Sequence, residues 1–193
     1  ISTQANIVSA AACRAYYNLG AKRVVLGREL TLNEIREIRK EVPPDLELEA
    51  FIHGSMCISY SGRCLLSGFF TGRDANRGAC TQPCRWNYHI SRCEITEEKR
   101  PEISLPLEEV NGETFVMSSN DTSMIEHMSD LMESGIDSFK IEGRMKSAYY
   151  TAVVTNTYRM AIDAYASGDC SYHPAWGREL NSVSHRPYYT GYF

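Results

Sequence analysis

Long apolar runs are missing from this chain. No stretch approaches the roughly 18 residues that cross a bilayer, which excludes an apolar spanning helix. No leader with a basic start and an apolar middle is visible, and the expectation is a cytoplasmic protein without a membrane partner. Charge of one sign is not in excess either: 20 Lys and Arg stand against 24 Asp and Glu, a net charge of -4. General attraction for nucleic acid is therefore not built into the whole surface, while a local basic patch stays open. HExxH, GxSxG and a Cys–His pair at a known spacing are all missing, as are internal repeats and low-complexity tracts. An initiating Met is missing too. The chain opens "ISTQANIVSA" as though at the end of a strand, so an interior piece of a longer protein is expected.

What is present suits a folded domain. With 193 residues, 43% of them hydrophobic, the chain can bury a real core. Apolar spacing predicts a helix over 8–19, followed by the short strand "AKRVVLG". Thr31 with Glu34 forms a capping box that opens a helix over 32–41, stopped by Pro43-Pro44. "LELEAFIHG" then alternates as a strand. Residues 54–112 break this rhythm with the cysteines and two possible hairpin strands, about 86–92 and 102–108. Afterwards come a strand "TFVMSS", a helix 122–134, a strand "DSFKIEG" and a long helix 147–166. The tail 167–193 shows no period. Strands alternating with helices through short connections predict an α/β fold with a parallel sheet. A complete (β/α)₈ barrel takes roughly 250 residues, so the later part of such a TIM-type barrel is expected. An open, doubly wound sheet is the alternative.

In such folds the active site lies beyond the C-terminal strand ends. Those ends deliver Thr3 and Gln4, then Arg28 and Glu29, His53, Ser119 with Asn120 and Asp121, and finally Glu142, Gly143 and Arg144. Candidate catalytic residues are therefore Arg28, Glu29, His53, Glu142 and Arg144. Two rim arginines point to an anionic ligand, since guanidinium pairs bidentately with carboxylate or phosphate. Rim ion pairs of little energetic weight are the plain alternative. Lys22, Lys140, Lys146 and the group Arg63, Arg73, Arg77 and Arg85 offer a local basic surface.

Four of the seven cysteines, Cys57, Cys64, Cys80 and Cys84, are spaced C-x6-C-x15-C-x3-C. Clustered cysteines in a reducing compartment are more often metal-binding or catalytic than disulfide-bonded. Structural zinc sites favour two close pairs, and only Cys80 and Cys84 make one. Iron–sulfur clusters tolerate irregular spacing because separate loops converge on them. A thiol nucleophile needs a base, and His53 precedes Cys57 by four residues. Buried packing remains the bland reading. Cys13, Cys93 and Cys170 stand apart and are expected to be structural.

At this point a resemblance becomes visible. "EAFIHGSMCISYSGRCLLS" (Glu49 to Ser67) resembles the signature of the U32 peptidase family at Glu49, Phe51, Gly54, Ser55, Met56, Cys57, Gly62, Cys64, Leu66 and Ser67. "GRDANRGACTQPCRWNY", "IDSFKIEGRMKSAYY" and "VSHRPYYTGYF" look like further family blocks. The resemblance implies that residues 1–166 are the C-terminal part of the family's barrel with an insertion at 54–112. Residues 167–193 would then lead toward a missing C-terminal region. The family is named for collagenase-like proteases, yet several members are linked to prephenate-dependent hydroxylation of a tRNA wobble uridine or a ribosomal cytidine. Relatives also hold a [4Fe–4S] cluster. Carried onto this chain, the resemblance makes Cys57, Cys64 and Cys80 ligands. The fourth would come from "SSNDTSMIEH", where this chain has Ser123 in place of the usual cysteine. Either Cys84 substitutes, or an oxygen ligand does, or the cluster is labile, three-iron or absent; zinc is the alternative metal. The leading expectation is an RNA hydroxylation enzyme with tRNA and the dicarboxylate prephenate as partners, and the second is a U32 peptidase, a hydrolase.

Overall fold

Side-chain caps decide where the principal helices of the computed structural model begin. Every residue is described except 92–93, 107–108, 111–112 and 115–119, and for 88–91, 94, 100, 103–106, 109–110 and 113–114 the backbone alone. Helix α1 (Ala10–Asn18) starts where the Ser9 hydroxyl accepts from the Ala12 N–H, and it buries Ala10 and Cys13. Helix α2 (Leu32–Glu41) carries the full capping box of Thr31 and Glu34, and Leu32, Ile35 and Ile38 form its buried stripe. The expected boundaries of α2 are met because two backbone donors are satisfied reciprocally at its start.

Strand β1 (Arg23–Val25) pairs in parallel with β2 (Glu47–Ser55). Between Leu48 and Gly54 only Phe51 of β2 is even partly exposed, as expected for a strand covered on both faces. A short helix, α3 (Leu66–Thr71, six residues), follows the first cysteines. Strands β3 (Tyr88–Ser91), β4 (Glu94–Glu97) and β5 (Arg100–Pro106) form an antiparallel sheet, and β6 (Glu109–Val110) pairs with β7 (Glu113–Thr114). The two expected hairpin strands are thus present as β3 and β5, with β4 between them rather than a direct hairpin. Strand β8 (Asp121–Ser123) runs antiparallel to the end of β2, setting Ser123 opposite His53 and Thr122 opposite Gly54. Helix α4 (Met128–Met132) leads to β9 (Ser138–Ile141), which pairs in parallel with β2. Helix α5 (Ala148–Ala166) buries Tyr150, Val154, Thr157, Tyr158 and Ala161. Helix α6 (Pro174–Asn181) and β10 (Tyr188–Tyr189) complete the chain, with β10 parallel to β8.

The chain divides into two units. The first comprises Ile1–Met56, Tyr60–Gly62 and Asn120–Phe193, and the second Cys57–Ser59 and Arg63–Ser119. The first is an α/β unit whose sheet is mixed: β1, β2 and β9 are parallel, while β8 opposes β2. Its core gathers Leu48, Ile52, Ile35, Leu131, Val154 and Leu180 among others. The second unit holds α3 and the two antiparallel sheets. Among the described residues no helix is long and apolar enough to cross a membrane.

Several expectations need correction. The helix expected over 122–134 is shorter, because residues 121–123 are taken up by the ladder with β2 and a 3₁₀ turn (Ile125–His127) precedes α4. The tail is not irregular: Pro174 sits at the start of α6, where its missing N–H costs nothing, and Trp176 and Leu180 are buried. The opening residues make a 3₁₀ turn over Thr3–Ala5, and Ile7 rather than Gln4 bridges to the sheet, at Leu26. Most of the strand expected at "TFVMSS", with Ser119, and Cys93 lie outside the described residues.

Two substitutions test this framework. Thr31→Ala should cost about 1 kcal/mol in urea unfolding through loss of the cap. Gly54 has φ +104, and a Cβ there would lie 2.2 Å from the Glu142 carbonyl oxygen. Gly54→Ala should therefore cost more, on the order of 3 kcal/mol.

Candidate functional site

The end of β2 is where polar chemistry gathers in the first unit. His53 is buried at 1% exposure. Its Nδ1 lies 3.3 Å from the Tyr158 hydroxyl, which accepts from the Met124 N–H at 3.0 Å and reaches the Ile52 carbonyl at 3.3 Å. Rings of Tyr158, Tyr188 and Tyr150 surround the imidazole at 5.4, 5.3 and 6.0 Å between centroids. Burial lowers the His53 pKa to about 4, with Asp121 opposing and the charges of His185 and Lys146 reinforcing the shift. The imidazole is accordingly neutral at pH 7. Burial likewise raises Tyr158, Tyr150 and Tyr188, so these phenols keep their protons.

Asp121, 1% exposed, is the buried acid beside this cluster. It accepts from the Arg186 N–H at 3.2 Å and faces the Lys146 ammonium at 3.5 Å, while Lys146 also donates to the Ser184 carbonyl at 2.8 Å. Ser123 sits opposite His53, its hydroxyl beside the Tyr158 phenol without completing a hydrogen bond.

A shallow pocket open to solvent lies at this strand end, lined by Arg28, Phe51, His53, Ser55, Met56, Thr122 and residues 190–193. The Arg28 guanidinium stands over the Phe51 ring at 4.6 Å. Of the five expected catalytic residues, this cavity brings together Arg28 and His53. Glu29 instead accepts from the Ser61 N–H at 2.6 Å, while the Ser61 hydroxyl accepts from the Arg28 N–H at 3.2 Å, so this corner holds the Tyr60–Gly62 segment. Glu142 joins β2 through its backbone, its N–H donating to the His53 carbonyl at 2.9 Å, and its carboxylate accepts from the Arg144 N–H at 3.0 Å. Arg144 itself is exposed and does not line the cavity. Ser55, Thr122 and Tyr158 were not among the expected site residues. Alternation along β2 from His53 marks Ser55, whereas Thr122 fell within an expected helix and carried no signal.

The four clustered cysteines all belong to the second unit and all are free thiols. The Thr81 N–H donates to the buried Ser67 hydroxyl of α3 at 3.1 Å, and the Trp86 indole N–H donates to the Thr81 carbonyl at 3.3 Å. These bonds fasten the Cys80–Cys84 loop, in which the Gln82 N–H donates to the Cys80 sulfur at 3.3 Å. Burial raises the Cys84 pKa; Arg85 opposes this, and Cys57, Cys80 and Cys64 each push it further up. The thiols are therefore electrostatic neighbours. Among the described residues no three His, Cys, Asp or Glu side chains are drawn together as a finished metal site. In kind, four thiols fit iron–sulfur or zinc binding, since soft sulfur donors select those centres. Cys13 is buried in α1, and Cys170 is exposed.

Comparison with known proteins gives a consistent answer. The family model described as peptidase family U32 matches residues 1–193. A tRNA hydroxylation protein P1 of Bacillus subtilis is 42% identical over 100% of this chain and 44% of its own length. The tRNA hydroxylation protein P of Escherichia coli is 37% identical over 100% of this chain and 49% of its own length. A protein named collagenase from Porphyromonas gingivalis is 34% identical, with 100% and 47% covered. The chain thus spans about half the length of the curated relatives it matches. No solved structure matches.

The buried neutral His53 has a measurable consequence. Its folded pKa lies below the ordinary value of 6.5, so the folded state binds fewer protons than the unfolded one between these limits. Its contribution is complete above pH 6.5 and is lost as pH falls toward 4, on the order of 3 kcal/mol in all. Urea unfolding from pH 7 to 4 should show this slope, and His53→Asn should flatten it; an unchanged slope would contradict the burial of a neutral imidazole.

Proposed function

The chain belongs to peptidase family U32, and from that membership we propose that it is part of an RNA hydroxylation enzyme acting on a tRNA wobble uridine in a prephenate-dependent reaction. The observation that carries this reading is the identity of 42% across the whole chain with a relative named for tRNA hydroxylation. A cytoplasmic location goes with an RNA substrate. Strands β1, β2 and β9 are read as neighbouring strands of a (β/α)₈ barrel, with the cysteines in an insertion after β2.

Cys57, Cys64, Cys80 and Cys84 would hold a [4Fe–4S] cluster, Cys84 serving in place of the cysteine that relatives have near position 123. Such a cluster supplies one-electron transfer chemistry. The free state of the thiols and the hydrogen bond to the Cys80 sulfur support this assignment. In the first unit, Arg28 orients an anionic co-substrate, and His53 offers it a neutral hydrogen-bonding group. Arg144, exposed beside Gly143, serves a second anionic group. The Asp121–Lys146 pair keeps charge beside His53 balanced.

A peptidase is the second reading, favoured by the relative named collagenase. It draws no support from a catalytic pair. Among the described residues the recorded histidine partners are Tyr158, Asp169, Asp130 and the Arg186 carbonyl, with neither a serine hydroxyl nor a cysteine thiol among them.

Mass spectrometry of tRNA nucleosides from a deletion strain separates the two. Wobble hydroxyuridine should disappear on deletion, return with the wild-type gene and fail to return with Cys57→Ser. Unchanged hydroxyuridine in the deletion strain would remove the hydroxylation reading, and gelatin cleavage by the purified protein that is lost in Cys57→Ser would install the peptidase in its place.

A further inference from the structure

Between Cys57 and Cys64 only Ser61 is buried, at 1% exposure. A small polar residue closed away in the middle of an otherwise accessible loop needs partners that hold it there. Those partners lie just beyond β1. The Glu29 carboxylate accepts from the Ser61 N–H at 2.6 Å, and the Ser61 hydroxyl accepts from the Arg28 N–H at 3.2 Å. Gly62 completes the grip: at φ +73 it lies against the Gln4 carbonyl, where a Cβ would collide. Tyr60–Gly62 accordingly belongs to the first unit, although Cys57–Ser59 before it and Arg63 after it belong to the second.

The surroundings are shaped to keep this grip. Glu29 is turned back over Gly27, whose missing side chain leaves the room: a Cβ there would lie 2.7 Å from Glu29 Oε2. Gln4 sits in the turn over Thr3–Ala5, which the Thr3 hydroxyl pins by donating to the Leu26 carbonyl at 3.1 Å. A short bond from a backbone N–H to a carboxylate is among the stronger contacts a loop can make. Cys57 stands three residues before Tyr60, and Cys64 two residues after Gly62. Tying the loop at its middle therefore leaves both cysteines on short tethers, with much of their chain freedom already removed.

We propose that Glu29 is a positioning residue for the metal–thiolate site: with Gly62 and the Arg28 N–H it clamps the Cys57–Cys64 loop and sets where those two thiols can reach. It acts through Ser61, which takes the place of the catalytic role expected for it. This deepens the reading above and rests on it for what the thiols bind; the clamp itself rests on the contacts of Ser61 and Gly62. Cys80 and Cys84 are fastened separately, through Ser67 and Trp86, so loss of the clamp has a local signature.

Metal release and thiol labelling on the full chain test this. Glu29→Ala and Gly62→Ala should lose metal to a chelator about tenfold faster than the wild type, the effect of removing an outer support from a metal site. Glu29→Gln keeps an acceptor for the Ser61 N–H and should release metal at the wild-type rate. In the metal-free chain, iodoacetamide read by peptide mass spectrometry should label Cys57 and Cys64 several-fold faster in Glu29→Ala. Cys80 should keep its rate, and the buried Cys13 should stay protected, which shows that the first unit is folded. Should Glu29→Ala expose Cys13, Gly62→Ala carries the same comparison. Unchanged labelling of Cys57 and Cys64 with Cys13 protected, equal acceleration at Cys80, or Glu29→Gln behaving as Glu29→Ala would each overturn the clamp. A wild type without metal would end the thiolate reading, while the labelling pattern still decides the clamp, so the two failures are told apart.

Discussion

The approach of Gly54 to the Glu142 carbonyl is the contact on which the first unit's site depends. At φ +104, with 2.2 Å between a would-be Cβ and that oxygen, the position admits glycine alone without displacement. It allows the end of β2 to close onto β9 just after their register shifts between Phe51 and His53. The Glu142 N–H then reaches the His53 carbonyl at 2.9 Å. With the strand ends drawn together, β8 completes the far end of β2 and sets Thr122 and Ser123 beside Gly54 and His53. Further back on β2, Glu49 ties three strands at once. It meets Arg23 of β1 at 3.2 Å, and Lys140 and Ser138 of β9 at 3.2 and 3.0 Å. Burial alone would raise its pKa; the bonds and charges of Lys140, Ser138 and Arg23 outweigh it and hold the carboxyl below its ordinary value.

Two kinds of polar cluster arise from this chain, one in each unit. Around His53 the problem is desolvation, met by keeping the imidazole neutral and by pairing Asp121 with Lys146. Arg28 Nε and the Ser55 and Thr122 hydroxyls are buried there without a hydrogen-bond partner. In the second unit the groups are thiols: burial raises the Cys84 pKa, and Cys57, Cys80 and Cys64 push it further up, so its ionisation is hindered.

The sequence made part of this visible. Caps are local, so α2 was read to its boundaries from Thr31 and Glu34, and the apolar positions of 147–166 marked α5 nearly to its ends. His53 and Arg28 were legible as strand-end residues because short β-branched runs ended there. Thr122 was hidden, since residues 121–123 look helical until β2 claims them, and that pairing spans a long stretch of chain. The α6 helix was hidden for a similar reason: Trp176 and Leu180 make a short stripe whose meaning depends on burial. Glu29 and Glu142 were read as chemical groups, while their observed bonds hold backbone. The cysteines were legible as a set from spacing and family resemblance, although spacing alone could not separate zinc from an iron–sulfur cluster.

The central claim is that Cys57, Cys64, Cys80 and Cys84 form one metal–thiolate site. Its most direct test is the iron, sulfide and zinc content of anaerobically purified protein, read with the visible absorption spectrum. The account predicts iron and sulfide in near-equal amounts, with a broad thiolate-to-iron band that is lost in Cys57→Ser. Protein that carries neither iron nor sulfide and holds stoichiometric zinc would contradict the cluster, and protein that carries no metal at all would contradict the site.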